Sequence, residues 1–324
     1  MRLLKLVPDD TNIDFLRWRK FASAASFLLV LLSIVLVAVR GLNLGIDFVG
    51  GQSVRVEFPA EMPPIEDIRE AVSNVGLGEA TIQQFGSEKA VSIRTLLPEG
   101  ENVTADSAGQ QLVAGIKEAF PTARTGAVET VSGKVSGELL RTGALSLGLA
   151  MLAISIYIWV RFEWQFGVGA MGRLFHEVAL TFGFFAVTQI QFDLNSVAAL
   201  LTIVGYSLND TIVVYDRVRE NLKKYRKMEI IPLLNLSINE TLARTVMTSV
   251  SMLLALAVLV IFGPDVIFGF SAAMLLGVFV GTYSSILMST PVLVWLKVGP
   301  HSFVPRTAEG GAERVTRSDD GAVV

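Results

Sequence analysis

The stretch Leu194-Asn-Ser-Val-Ala-Ala-Leu-Leu-Thr-Ile-Val-Gly-Tyr-Ser-Leu-Asn-Asp-Thr-Ile-Val-Val-Tyr215 decides the fold. It is long and apolar enough to cross a bilayer, whose hydrocarbon core of about 30 Å takes roughly 20 residues of helix. It also carries Asp210. With the span ending near Arg217, Asp210 lies about 10 Å inside at the helical rise of about 1.5 Å per residue. That is too deep for a short side chain to reach the interface. An ionisable group at such depth is expensive and by default points to function. The competing reading is a structural carboxylate paired within a helix bundle.

Five more segments flank this one with the length and apolarity of a span: Phe21–Val39, Leu139–Val160, Val168–Ile190, Leu242–Phe262 and Val266–Leu296. The last is long enough to include a kinked or interfacial end near Pro291. The first is longer than the apolar region of a cleaved signal peptide and no small-residue cleavage site precedes Arg40, so it reads as an uncleaved anchor. Composition agrees, with 52% hydrophobic and 18% charged residues and a mean hydropathy of +0.54; soluble domains are about a quarter charged. Cysteine is absent, which excludes disulfides, thiolate metal sites and cysteine nucleophiles. The only histidines, His176 and His301, are too few for a multi-histidine metal centre. The net charge of -3 offers no basic field for nucleic acid. Phosphate-loop, dinucleotide and nucleophile-elbow motifs are missing. No cofactor, metal or enzymatic activity is expected.

Lysine and arginine placement sets the topology. Arg2, Lys5, Arg17, Arg19 and Lys20 precede the first span, and Arg217, Arg219, Lys223, Lys224, Arg226 and Lys227 separate the fourth from the fifth. Lys297, Arg306, Arg314 and Arg317 follow the sixth, whereas Gln191–Asp193 and Gly263–Asp265 have no basic residue. Both termini are therefore expected on the cytoplasmic side. The chain divides into a cytoplasmic segment 1–20, a first span 21–40, an external domain 41–135, five spans within 136–298 and a polar cytoplasmic tail 299–324.

The external insert carries seven basic and thirteen acidic residues, a net charge of -6. Ser53–Phe58, Ala80–Phe85, Lys89–Leu96 and Ala123–Val131 read as strands, with a turn at Gly86-Ser87. Pro64–Val75 and Thr104–Phe120 read as helices with Ile65, Ile68 and Val72, and Leu112, Ile116 and Phe120, at helical spacing. The order β-α-β-β-α-β is the ferredoxin-like arrangement. That fold assigns no function. The fold class is thus a polytopic α-helical membrane protein with six transmembrane helices and an inserted α+β ferredoxin-like periplasmic domain between the first two.

Other charges compete with Asp210. Arg244 lies about 8 Å beyond Asn239 on the next helix, at a depth similar to Asp210, and the two are placed to pair; snorkelling is the alternative for so long a side chain. Thr245, Thr248 and Ser249 add hydroxyls nearby, and Tyr206 and Asn209 flank Asp210 itself. Arg173, His176, Glu177 and Thr181 share one face of the third span, read first as an interhelical structural cluster. Asp193, Asp216 and Asp265 sit at span ends and read as capping or hydrated residues. In Gly45-Ile-Asp-Phe-Val-Gly-Gly51, the glycines Gly45, Gly50 and Gly51 around Asp47 suggest a tight turn, hence structure rather than chemistry. Gly277, Gly281 and Ser285 form a small-residue face for helix packing.

These runs also carry a resemblance. Gly45–Gly51, Phe192–Ser196, Gly205–Asn221, Asn239–Thr245 and Gly281–Ser285 resemble the SecF branch of the SecD/SecF family, within the resistance-nodulation-division superfamily, over nearly the whole chain. Glu177 departs from the aspartate usual there. The resemblance implies a complex with SecD, YajC and the SecYEG channel, exported preproteins as cargo and the bacterial inner membrane as location. It implies that proton flux, or sodium flux in some relatives, drives a late step of protein export. It places the ion-coupling role on Asp210 and Arg244. The alternatives are half of an efflux transporter, which needs a much larger external domain, and a non-conducting scaffold subunit.

Overall fold

The computed structural model describes residues 7–8, 11–77, 80–84, 89–96 and 105–299. In chain order the elements are α1 (Arg19–Arg40), a short α2 (Ile46–Val49), β1 (Gly51–Glu57), α3 (Ile65–Asn74), β2 (Ala80–Gln84), β3 (Ala90–Thr95), α4 (Ala105–Ala119) and β4 (Arg124–Val131). There follow α5 (Gly133–Arg161), α6 (Trp164–Thr188), α7 (Leu194–Lys224), α8 (Ile230–Phe262), α9 (Phe268–Leu287) and α10 (Ser289–Trp295). The expected turn at Gly86-Ser87, the residues Phe85 and Thr104 at element ends, and the tail from residue 300 onward lie outside the described residues.

Six helices are long and apolar enough to cross a membrane. Their burial ranks them. The most apolar window is 56% buried in α6 and 50% in α7, against 11% in the first span and 6% in α5. So α6 and α7 form the centre of the bundle. Phe27, Leu28 and Leu32 of α1 and Leu149, Leu152 and Trp159 of α5 lie exposed, as helices in contact with lipid require.

Two spans are longer than their hydropathy suggests. The α7 helix runs on to Lys224, and α8 starts at Ile230 rather than near Leu242. Val218 and Leu222 pack against Leu233, Leu234 and Ile238 in one cluster. Asn221 Nδ2 donates to Ser237 Oγ at 3.0 Å and to Glu240 Oε2 at 2.7 Å. The two helices therefore continue as a paired hairpin whose outer faces are polar. The sixth span breaks at Met288, between α9 and α10. Pro291 has no N–H to donate to the carbonyl of Leu287, so the regular ladder stops there.

The insert forms a four-stranded antiparallel sheet in the order β2-β3-β1-β4. Alternation directs Val54, Val56, Val91 and Ile93 to one face, where Ile68, Val72, Leu112 and Ile116 of α3 and α4 cover them. Phe58 and Phe120 close that core edge-to-face at 5.5 Å. This is the ferredoxin-like topology expected from the strand and helix order. The opposite face, with Ser53 and Ser92 hydrogen-bonded at 3.2 Å, turns toward the span ends.

The glycine-rich run makes the joint between span and sheet. Gly50 ends α2 at φ +79 and Gly51 follows at φ +109. A Cβ on Gly51 stands 2.5 Å from the carbonyl oxygen of Thr95. Backbone and space both demand glycine there. Gly51→Ala is expected to cost at least about 1–3 kcal/mol from the backbone conformation alone, read as a fall in thermal midpoint. Gly76→Ala, at φ +77 with open space around it, carries the backbone strain without the collision and should cost less.

Candidate ion-coupling site

The α7 helix packs against α6, α8 and α9 and carries Asp210. Its side chain is 5% exposed, on the inward stripe of α7 with Ser207, Thr211 and Val214. The expected pairing with Arg244 is not formed. Arg244 is exposed on the outer face of α8, and no ion pair joins the two residues. Asn209 is exposed as well. The physical reason is helical phase: on α8 the buried stripe runs through Thr241, Thr245 and Ser249, which turns Arg244 outward.

A buried arginine, Arg173, lies on α6 instead. It and Glu177, one turn apart on α6, have side chains 1% and 0% exposed, with Arg173 Nε 3.0 Å from Glu177 Oε1. Arg173 donates from Nη1 to the Ser207 carbonyl of α7 at 2.7 Å and from Nη2 to the Gly281 carbonyl of α9 at 2.7 Å. Its Nε also approaches Ser284 Oγ at 2.9 Å, and that hydroxyl donates to Glu177 Oε1 at 2.6 Å. One guanidinium thus ties three helices together. Such a pair survives burial only with its remaining donors and acceptors satisfied. The polar face read as an interhelical structural cluster joins α6 to α7 and α9.

The small-residue face of α9 has two uses. A Cβ on Gly277 runs into Ile203 at 2.5 Å, which is close helix packing. A Cβ on Gly281 stands 3.3 Å from Ser207 Oγ, 3.5 Å from Glu177 Oε1 and 3.6 Å from Arg173 Nη2. Glycine there lets the guanidinium reach the α9 backbone.

The remaining expected residues fall around this junction. His176 is 2% exposed, with Nε2 3.3 Å from the hydroxyl of Tyr283. Thr245 is buried, Thr248 is exposed with its hydroxyl on the Arg244 and Thr245 carbonyls, and Tyr206 OH donates to the Thr248 carbonyl at 3.2 Å. Thr282 Oγ1 donates to Ser249 Oγ at 2.8 Å. Glu177 Oε2, Ser207 Oγ, Thr245 Oγ1 and His176 Nδ1 are buried polar atoms with no hydrogen-bond partner among the described residues. Arg173, Ser207, Gly281, Tyr283 and Ser284 were not among the expected site residues; the i,i+4 spacing of Arg173 and Glu177 was the available signal. No group of three or more histidine, cysteine, aspartate or glutamate side chains converges among the described residues.

At the other end of α7, Asp193 caps the helix together with Ser196 as a capping box. Asp47 Oδ2 accepts the N–H of Leu194 at 3.0 Å, so the glycine-run carboxylate holds the start of the Asp210 helix. Residues 41–45 lie between the sheet and the α6–α7 linker: Gly45 N–H donates to the Phe192 carbonyl, and Phe192 N–H to that of Asn43. Arg94 of β3 donates to Leu44 O and Asn43 Oδ1, both at 2.6 Å. Gln83 Nε2 and Asn43 Nδ2 both reach the Gln189 carbonyl at 2.7 Å. Burial pushes the Arg94 guanidinium below the usual arginine range, a desolvation cost offset by its charge-assisted bonds. Arg94→Met leaves two acceptors unpaired. It is expected to speed hydrogen exchange at Gly45 and Phe192 by about tenfold or more, since a bond to a charged donor contributes roughly 1.5–3 kcal/mol.

The sequence profile described as protein export membrane protein SecD/SecF, C-terminal, matches residues 111–299. The SecD/SecF GG motif matches residues 35–58, the joint described above. The protein translocase subunit SecF of Rhodobacter capsulatus is 46% identical over 305 residues, covering 90% of this chain and 91% of its own. The chain belongs to the SecF family of protein translocase subunits. The SecF subunit of Rickettsia felis is 40% identical over 291 residues, with 90% and 94% covered. A crystal structure of SecDF from Thermus, titled a translocon-associated membrane protein, superposes with a TM-score of 0.81 at 34% identity, covering 89% of this chain. This chain spans 39% of that longer one. A SecDF structure in a super-membrane-facing form gives 0.63 at 32% identity, covering 92% of this chain and 40% of that one. Family and fold together make this a multi-pass membrane protein of Sec-associated protein transport.

Proposed function

We propose that this chain uses the proton motive force to complete translocation of preproteins across the bacterial inner membrane, with Asp210 as the proton-carrying group. The observation that carries the reading is a carboxylate 5% exposed inside a membrane-spanning helix, beside a buried arginine–glutamate junction that ties three helices. Membrane carboxylates of this kind mark proton relays. Free polar atoms at Ser207, Glu177 and Thr245 offer donors and acceptors along such a relay. Protonation changes the charge at the junction and with it the favoured packing of α6, α7 and α9. The sheet domain, joined by Arg94 to the segment at 43–44 and by Asp47 to the start of α7, follows that packing.

The outward Arg244 and Asn209 support a partner half. An exposed arginine at this depth needs protein or water against it, and relatives named SecDF are chains more than twice as long. SecD is the proposed partner, with YajC and the SecYEG channel completing the complex. The basic residues between α7 and α8 and near the N-terminus support both termini in the cytoplasm and domain 41–135 in the periplasm. The test is preprotein uptake into inverted membrane vesicles from cells lacking or carrying this chain. The expected result is a proton-gradient stimulation that appears only with the chain. Equal stimulation without it contradicts the proposal.

A further inference from the structure

Arg173 is paired with one carboxylate, Glu177, and is bonded to the backbone of the helix that bears a second, Asp210. Its Nη1 sits on the Ser207 carbonyl, which in a helix points along the axis toward residue 211. The guanidinium is therefore against the turn that bears Asp210. The charged groups of the neighbouring helices around Asp210 are Arg173, Glu177 and Arg244. From α6 come Arg173, Glu177 and the His176 ring, which Tyr283 engages. From α8 comes Arg244, turned outward. From α9 come Tyr283, Ser284 and the Gly281 carbonyl, none charged.

The buried trio of Arg173, Glu177 and Asp210 is thus neutral when one carboxylate carries a proton and singly negative when neither does. Glu177 engages Arg173 through Oε1 alone, and Oε2 has no partner among the described residues. Gly281 keeps the space between Ser207, Glu177 and the guanidinium free of a side chain. We infer that Arg173 is a positioning residue shared by two carboxylates, resting on Glu177 while Asp210 holds a proton and drawn toward Asp210 when the proton leaves. Because its other bonds end on the backbones of α7 and α9, each transfer changes how those helices are tied to α6. This inference rests on the proposed proton role of Asp210.

The test is a set of double-mutant cycles on the full chain in lipid nanodiscs, read by thermal melting. The variants are Arg173→Gln, Glu177→Gln, Asp210→Asn and their pairs. The expected result is that the cost of Arg173→Gln shrinks in the Glu177→Gln background and shrinks separately in the Asp210→Asn background. A cost unchanged by Asp210→Asn overturns the sharing. Should Arg173→Gln fail to accumulate, Arg173→Lys takes its place in each cycle, keeping the charge and losing the fork. A functional arm uses Glu177→Gln and Glu177→Asp. With its resting acceptor neutral, the first is expected to lose proton-dependent export while still folding, and the second to restore it. Full export in Glu177→Gln overturns the inference. Full export in Asp210→Asn instead refutes the proton role and leaves the stability coupling to be read on its own, so the two failures are distinguishable.

Discussion

Asp210→Asn is expected to reduce preprotein uptake into energised vesicles to the level seen with the proton gradient collapsed. Asparagine nearly matches aspartate in shape and keeps hydrogen-bonding capacity, so the packing of α7 is retained. What it loses is the ability to take up and release a proton. The stake is large: one charge moved across 100 mV gains about 2.3 kcal/mol, a bias of roughly fiftyfold between two states at about 1.4 kcal/mol per decade. Asp216, half-buried and paired with Arg161 at 2.9 Å, lies at the end of the span and does not stand in for Asp210. Uptake with and without a protonophore, in parent and variant vesicles, measures the effect.

Arg173→Met is the largest expected loss of stability. It removes four contacts at once, to Glu177, Ser207, Gly281 and Ser284. It also leaves Glu177, 0% exposed, without its counter-charge. Breaking one side of a buried pair costs about 3–5 kcal/mol. Arg173→Met combined with Glu177→Gln is expected to recover a large part of that, because the uncompensated charge goes with the partner. Thermal melts of the purified chain, with Arg161→Met as an exposed-arginine control, give the comparison. Exposed pairs such as Arg161–Asp216 contribute only about 0–1 kcal/mol, so the control should melt close to the parent.

The sequence carried most of the architecture because the governing rules are local. Twenty apolar residues in a row mark a span, and alternation around Val54 and Ile93 marks strands that pair in register. The limits of α7 and α8 were harder. Residues 230–241 are too polar for a hydropathy window, yet Leu233, Ser237 and Ile238 are buried against α7, a fact about packing between helices. The site divides in the same way. Asp210 is visible from depth alone. Which arginine turns inward depends on the rotational phase of α6 and α8, and a shift of one residue turns a helical side chain by about 100°. Ser284 joins Arg173 from 111 positions along the chain, beyond any spacing rule. Asp47 reads as structural from its glycines; its partner, the first N–H of α7, ties the joint to the Asp210 helix.

The most direct measurement is proton current through the reconstituted complex of this chain and its partner half, compared between the parent and Asp210→Asn. A current that follows the imposed pH gradient in the parent and vanishes in the variant is the predicted result. A current of equal size in both contradicts the account.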